Sequence, residues 1–263
     1  MLWFRKKTRP VFVLGCQRSG TTICQNIYLR SSDCDVFREG NTRAMTVHWR
    51  LRDDDTIRGL IRKSRREIAL FKPLNDSQWA DRYLSDFEHA RLIWIYRSPW
   101  DTANSAVAKW GDSQRDMIDT IGKSFEENGG SEGAVEALKD QPGFAACAER
   151  VSEAAQRQLI EWSKLNLDPH SGAAAMWWLR NQFFEQLRLA DDPRVLLVRY
   201  ESLVSDPATE AARMCEHMQI PYDDSLISTV HAKSVGRNPR PTLAPSVEAA
   251  CAELKQQMDV RGT

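Results

Sequence analysis

The chain has 263 residues, and its 36 lysines and arginines balance its 36 aspartates and glutamates. A chain of this length can bury an ample core, and the charge balance argues against a nucleic-acid coat or a polybasic membrane anchor. No stretch is apolar for long enough to cross a bilayer, and Met1-Leu2-Trp3-Phe4-Arg5-Lys6-Lys7 lacks the apolar segment of a secretory signal.

In chain order, the first predicted element is a strand, Val11-Phe12-Val13-Leu14, followed by Gly15-Cys16-Gln17-Arg18-Ser19-Gly20-Thr21-Thr22 and a predicted helix over residues 22–29. Strand, glycine-bounded turn and helix make a phosphate cradle, because successive backbone N–H groups and the positive helix end converge on one anion. The spacing fits G-x-x-x-x-G-K-[ST], except that Thr21 replaces the lysine that reaches the outer phosphates of a triphosphate. The cation comes earlier, at Arg18.

Further continuous apolar runs predict strands over residues 68–71, 92–96 and 195–200. Continuous rather than alternating hydrophobicity fits strands covered on both faces, a parallel sheet between helices. The strand at 92–96 leads into Arg97-Ser98-Pro99, with a helix expected to begin near Asp101 and Ser105 about one turn inside it. Arginine at the carboxyl edge of such a strand lies where open α/β sheets bind ligands, and its planar fork suits a phosphate. No Walker-B carboxylate follows that strand. Residues 111–141 read as irregular, broken by Gly129, Gly130 and Gly133, either a lid over a cleft or a solvated insertion. Residues 173–189 read as a long buried helix in which Trp177 and Trp178 belong to the core. Asp206-Pro207 reads as a cap opening a helix to about Met218. With no linker and no repeat, residues 1–263 are expected to form one domain. The six scattered cysteines read as reduced thiols of a cytoplasmic protein.

Taken together, these motifs resemble the sulfotransferase family. The loop at 15–22 is similar to the P-R-S-G-T-T loop that binds the 5′-phosphosulfate in tyrosylprotein, carbohydrate and many bacterial members, with Gln17 where proline is usual. Arg97 and Ser105 match the family's 3′-phosphate-binding pair. The segment Val198-Arg199-Tyr200-Glu201-Ser202-Leu203-Val204-Ser205-Asp206-Pro207 is similar to R-Y-E-D-L-x-x-D-P, so the resemblance runs from residue 11 to about residue 240.

The resemblance implies a P-loop NTPase-like α/β fold with a central parallel sheet flanked by helices on both faces. It also implies 3′-phosphoadenosine 5′-phosphosulfate as donor, 3′,5′-ADP as product, and no metal. Its site residues would be Gln17, Arg18, Ser19, Gly20, Thr21 and Thr22 of the loop, with Arg97 and Ser105 on the 3′-phosphate. Lys72 would reach the sulfuryl oxygens. Glu39, in Phe37-Arg38-Glu39-Gly40-Asn41-Thr42-Arg43, resembles the glutamate base of the tyrosylprotein members; His48 is the second choice and is left outside the site. Ser234 and Arg237 match the late loop that closes over the nucleotide. Arg199 and Glu201 are expected to pair structurally.

The resemblance implies as partner a hydroxyl-bearing acceptor (a carbohydrate, a lipid-linked glycan or a small metabolite), expected to be held by the loops at 43–61 and 111–169. Two other readings stand beside this one: a P-loop small-molecule kinase, and a non-catalytic protein that binds 3′,5′-ADP. The sequence leaves acceptor and oligomeric state open.

Overall fold

The computed structural model describes residues 7–228, 230 and 236–262. Among them, five strands form one sheet: β1 (Arg9–Leu14), β2 (Cys34–Phe37), β3 (Ile68–Phe71), β4 (Arg91–Tyr96) and β5 (Val195–Arg199). Their order is β2-β3-β1-β4-β5 and every pairing is parallel. β1 therefore lies at the centre, with Phe12 opposite Phe71 on one side and Leu92 on the other. The chain fills one half of the sheet first and then crosses to the other. That reversal opens a crevice beyond the carboxyl ends of β1 and β4.

The helices follow in chain order. α1 (Thr21–Ile27) joins β1 to β2, α2 (Asp54–Lys63) precedes β3, and α3 (Ala80–Asp86) precedes β4. Between β4 and β5 run α4 (Pro99–Trp110), α5 (Ser113–Asn128), α6 (Ser131–Ala137), α7 (Pro142–Ala148), α8 (Glu153–Ser163) and α9 (Pro169–Gln186). α10 (Tyr200–Ser205), α11 (Pro207–Met218) and α12 (Pro245–Arg261) complete the order.

Alternate strand residues enter two separate cores. Phe12, Leu14, Phe71, Leu92 and Trp94 pack on one side with α4, α5, α9 and α12. Val11, Val13, Leu70, Ile93 and Ile95 pack on the other with α1, α10 and α11. Both faces are covered, which is why these strands read as continuous apolar runs. α9 is buried almost all round, as its composition predicts.

Three expectations need correction. Residues 111–141 are regular: α5 and α6 occupy most of them. Gly129 closes α5 at φ 71° and Gly130 leads into α6 at φ 103°, so the glycine pair separates two helices. The strand expected at 195–200 stops at Arg199, and Tyr200 opens α10. α4 begins at Pro99, capped by Ser98, so Ser105 lies nearly two turns inside it. All six cysteines are free and buried. No helix of the described residues is long and apolar enough to cross a membrane.

Candidate active site

The loop between β1 and α1 holds its shape through two glycines that no other residue could replace without strain. Gly15 has φ 132°, and a Cβ there would lie 2.1 Å from the Ile95 carbonyl oxygen of β4. Gly20 has φ 99°, and its Cβ would lie 2.3 Å from Cδ2 of Tyr200. Between them Arg18 takes φ 67°, a left-handed conformation unusual for a side chain of its size. The loop is braced from within by Ser19 N–H donating to the Cys16 carbonyl at 3.2 Å. The buried Ser19 hydroxyl lies 3.4 Å from that of Thr102 on α4. Gly20 caps α1 without a side-chain hydrogen bond and no acid occupies the first turn, so no side-chain cap occupies the opening N–H groups of α1.

Lys72, just past β3, is the pivot of the site. Its side chain is only 1% exposed, yet its ammonium donates to Thr22 Oγ1 at 2.8 Å and to the Glu39 carboxylate at 2.5 Å. Thr22 stands in the first turn of α1, directly behind the loop, and Glu39 in the turn after β2, so one buried cation ties three segments together. Burial lowers the Lys72 pKa from 10.5, and the Arg18 charge pushes the same way while Glu39 opposes it. Thr22, Glu39 and Asn41 line a cleft of about 600 Å³ on this side.

A second cleft of about 310 Å³ opens beside the loop, lined by Arg18, Arg97, Ser105, Lys109, Arg237 and Asn238 among others. Arg18 Nε donates to Ser105 Oγ at 3.0 Å. Arg97 is 5% exposed, with its guanidinium 4.7 Å above the Tyr200 ring and 3.6 Å from the Asp101 carboxylate. Glu201 fixes this corner: it accepts from the Ser98 N–H at 2.8 Å and pairs with Arg199 at 3.3 Å, the structural pairing expected of it. Gly236 N–H reaches Asp101 at 3.4 Å and Asn104 donates to the Pro239 carbonyl, which lays residues 236–240 along α4. Ser234 falls outside the described residues.

The structure thus gathers the loop, Lys72 and Glu39 at one end and Arg18, Arg97, Ser105 and Arg237 at the other. Gln17 faces a third direction and donates to Asn75 Oδ1 at 2.8 Å. His48 lines a separate cleft with Arg50, although its carbonyl accepts from Asn75. Sequence reasoning missed Asp101 and Lys109. Both lie four residues from Ser105 on α4, a spacing that places all three on one helical face and could have revealed them.

A family model described as a sulfotransferase domain matches residues 8–242. The chain belongs to the sulfotransferase family. Its sheet and flanking helices are the P-loop NTPase-like arrangement of that family, and this sulfotransferase is a transferase enzyme. Among solved structures, it is similar to the sulfotransferase domain of the Synechococcus PCC 7002 olefin synthase. The two are 14% identical with a TM-score of 0.54, and the match covers 98% of this chain and 96% of that one. It is also similar to the sulfotransferase domain of the curacin biosynthetic pathway, at 14% identity and TM-score 0.55, covering 94% of this chain and 98% of that one. At such identities the likeness is one of fold. No curated protein sequence matches the chain.

Proposed function

We propose that this sulfotransferase moves a sulfuryl group from 3′-phosphoadenosine 5′-phosphosulfate to an acceptor hydroxyl, with Glu39 as the base. The observation that carries the reading is the buried Lys72 shared between loop Thr22 and Glu39. It sets a carboxylate, a cation and a phosphate-type loop within one hydrogen-bonded unit, with no lysine inside the loop itself.

The donor fits the residues present. Gln17, Arg18, Ser19, Gly20, Thr21 and Thr22 form the loop around its 5′-phosphosulfate, while Arg97, Ser105 and Arg237 supply the cleft for a 3′-phosphate. When bound, the donor supplies the sulfuryl group and a phosphate leaving group. The chain's own residues then divide the labour. Glu39 takes the acceptor proton as the acceptor oxygen bonds to sulfur and the sulfur–phosphate oxygen bond breaks. Arg18 and Lys72 offset the charge that builds on the departing phosphate, the task arginine and metal ions perform in phosphoryl transfer. A glutamate base in the turn after β2 aligns the enzyme with the tyrosylprotein and carbohydrate type, and the acceptor is a hydroxyl-bearing carbohydrate, lipid or small molecule. The whole of residues 1–263 serves this one activity as a single domain of a cytoplasmic enzyme.

Calorimetric titration with 3′,5′-ADP, 5′-ADP and Mg-ATP tests the donor assignment. Wild type is expected to prefer 3′,5′-ADP, and Arg97→Ala to lose that preference, because a bidentate contact to a charged phosphate is worth about 1.5–3 kcal/mol. Glu39→Gln is expected to bind 3′,5′-ADP as wild type does while losing about a hundredfold or more in turnover. Equal binding of 5′-ADP, or a preference for Mg-ATP, overturns the assignment in favour of a kinase. Unchanged turnover in Glu39→Gln removes the base.

A further inference from the structure

Arg180 is a buried cation that lacks an ionic partner among the described residues. It stands on α9 and is 1% exposed. Its Nη1 donates to Gln78 Oε1 at 3.2 Å, and its Nη2 donates to Asn75 Oδ1 at 3.4 Å and Cys147 Sγ at 3.1 Å. Its Nε has no partner, and no carboxylate lies within 4.0 Å of the guanidinium among the described residues. Cys147 does not supply the missing charge, because burial raises the pKa of its thiol in spite of Arg180. Glu149, which accepts from Gln78, is already held by both arms of Arg50 and by the Trp79 indole. A buried charge left with neutral partners is costly, and an anion placed against it recovers that cost.

The same arginine lines a pocket of about 210 Å³ with Trp49, Leu74, Trp110, Met117 and Met176. The pocket walls are apolar apart from a few convergent polar groups, the composition of a small-molecule site. Its volume falls below the roughly 300–1,000 Å³ of sites for drug-sized ligands, so it suits one ring or a short carbon chain. Trp49 and Trp110, 48% and 37% exposed, carry its wall out to the surface. Gln17 and Asn75 share a wall and a hydrogen bond, and they lead along the chain to Arg18 and Lys72. The pocket therefore adjoins the transfer loop at one wall and holds a cation at another.

We propose that this pocket is the acceptor site and that the acceptor is a small hydroxylated carboxylic acid. Its carboxylate pairs with Arg180, its apolar body lies among Trp49, Trp110, Met117 and Met176, and its hydroxyl lies toward Gln17 and the loop. A planar carboxylate suits the guanidinium fork and displaces the long contact to Asn75. The position of the hydroxyl rests on the sulfuryl-transfer reading; the anion site does not.

The test is calorimetric titration, with and without saturating 3′,5′-ADP, of two matched probe pairs. One is para-hydroxyphenylacetate against para-cresol, and the other is omega-hydroxyhexanoate against hexanol. In wild type, the carboxylate member of at least one pair is expected to bind about tenfold tighter or more. In Arg180→Met that preference is expected to disappear, while affinity for 3′,5′-ADP stays within about twofold because Met fills a similar volume without a charge. Equal binding of both members to wild type overturns the proposal, as does a preference that survives in Arg180→Met. Should Arg180→Met fail to fold, the wild-type pairs alone decide. Failure of the donor assignment registers separately, as absent 3′,5′-ADP binding beside an intact carboxylate preference.

Discussion

At the scale of the residue, Lys72 concentrates the physics of the site. The Lys72 ammonium is 1% exposed, and desolvation pulls its pKa below 10.5, with Arg18 adding to the fall and the Glu39 carboxylate opposing it. If Lys72 must be charged to steady the leaving phosphate, activity requires its protonated form. Raising the pH then removes the cation before an ordinary lysine would lose it. The kcat/KM profile is expected to fall on the alkaline side with a midpoint below 10.5. Lys72→Met is expected to lose that limb together with about two orders of magnitude in turnover, the size of effect seen when a donor to developing charge is removed. A wild-type profile that stays flat up to 10.5 would separate the lysine from the chemistry.

At the scale of the element, α5 shows what the sequence hides. Its apolar residues Ile118, Ile121 and Phe125 face α8 and α9, but charged neighbours and the trailing Gly129-Gly130 made the stretch read as broken. Gly122 contributes by closeness instead of hydrophobicity: a Cβ there would lie 2.5 Å from the Leu159 carbonyl oxygen and 2.6 Å from Ser163 Cβ on α8. Alanine favours a helix over glycine by about 1 kcal/mol. A clash with backbone outweighs that gain, since overpacking costs about 1–3 kcal/mol. Gly122→Ala is therefore expected to lower the melting temperature by several degrees, about 2–4 °C per kcal/mol for a chain of this size. Gly143→Ala on α7, where an added Cβ meets nothing within 4 Å among the described residues, is the clash-free control and is expected to leave Tm unchanged or raised. A rise in Tm for Gly122→Ala would mean that α5 is not seated on α8. Legibility follows the same logic elsewhere. The strand at 68–71 announced itself because both faces are buried, whereas the edge strand β2, Cys34-Asp35-Val36-Phe37, is half-buried and carries an acid bound to Ser64. The loop was legible because its chemistry is contiguous. The resemblance named Lys72 and Glu39 separately, but only the fold joins them, and Arg180 on an apolar helix gave no sign of lining a pocket.

At the scale of the whole molecule, balanced charge leaves acid stability to individual groups, and His217 stands out among them. It sits in the last turn of α11, where the helix dipole favours a cation, and its Nε2–H donates to the Leu92 carbonyl at the start of β4 at 3.1 Å. Desolvation outweighs the dipole, and the neighbouring Arg91 and Arg213 add to it, so the pKa falls from 6.5 to about 4. Between these two values the unfolded chain binds a proton on His217 that the folded chain does not. Stability must therefore decline as pH drops through that window, with a slope of up to about 1.4 kcal/mol per pH unit from this one group. Carboxylates held low, such as Asp81 beside Arg150 and Asp168 at the cap of α9, join only at more acid pH, where their own protonation begins in the unfolded chain. Urea unfolding from about pH 7 down to pH 4.5 should show this decline in wild type. His217→Gln, whose amide can still donate to Leu92, should flatten it without changing the denaturant slope. An identical decline in the two proteins would assign the acid sensitivity to other groups and leave the α11–β4 contact electrostatically silent.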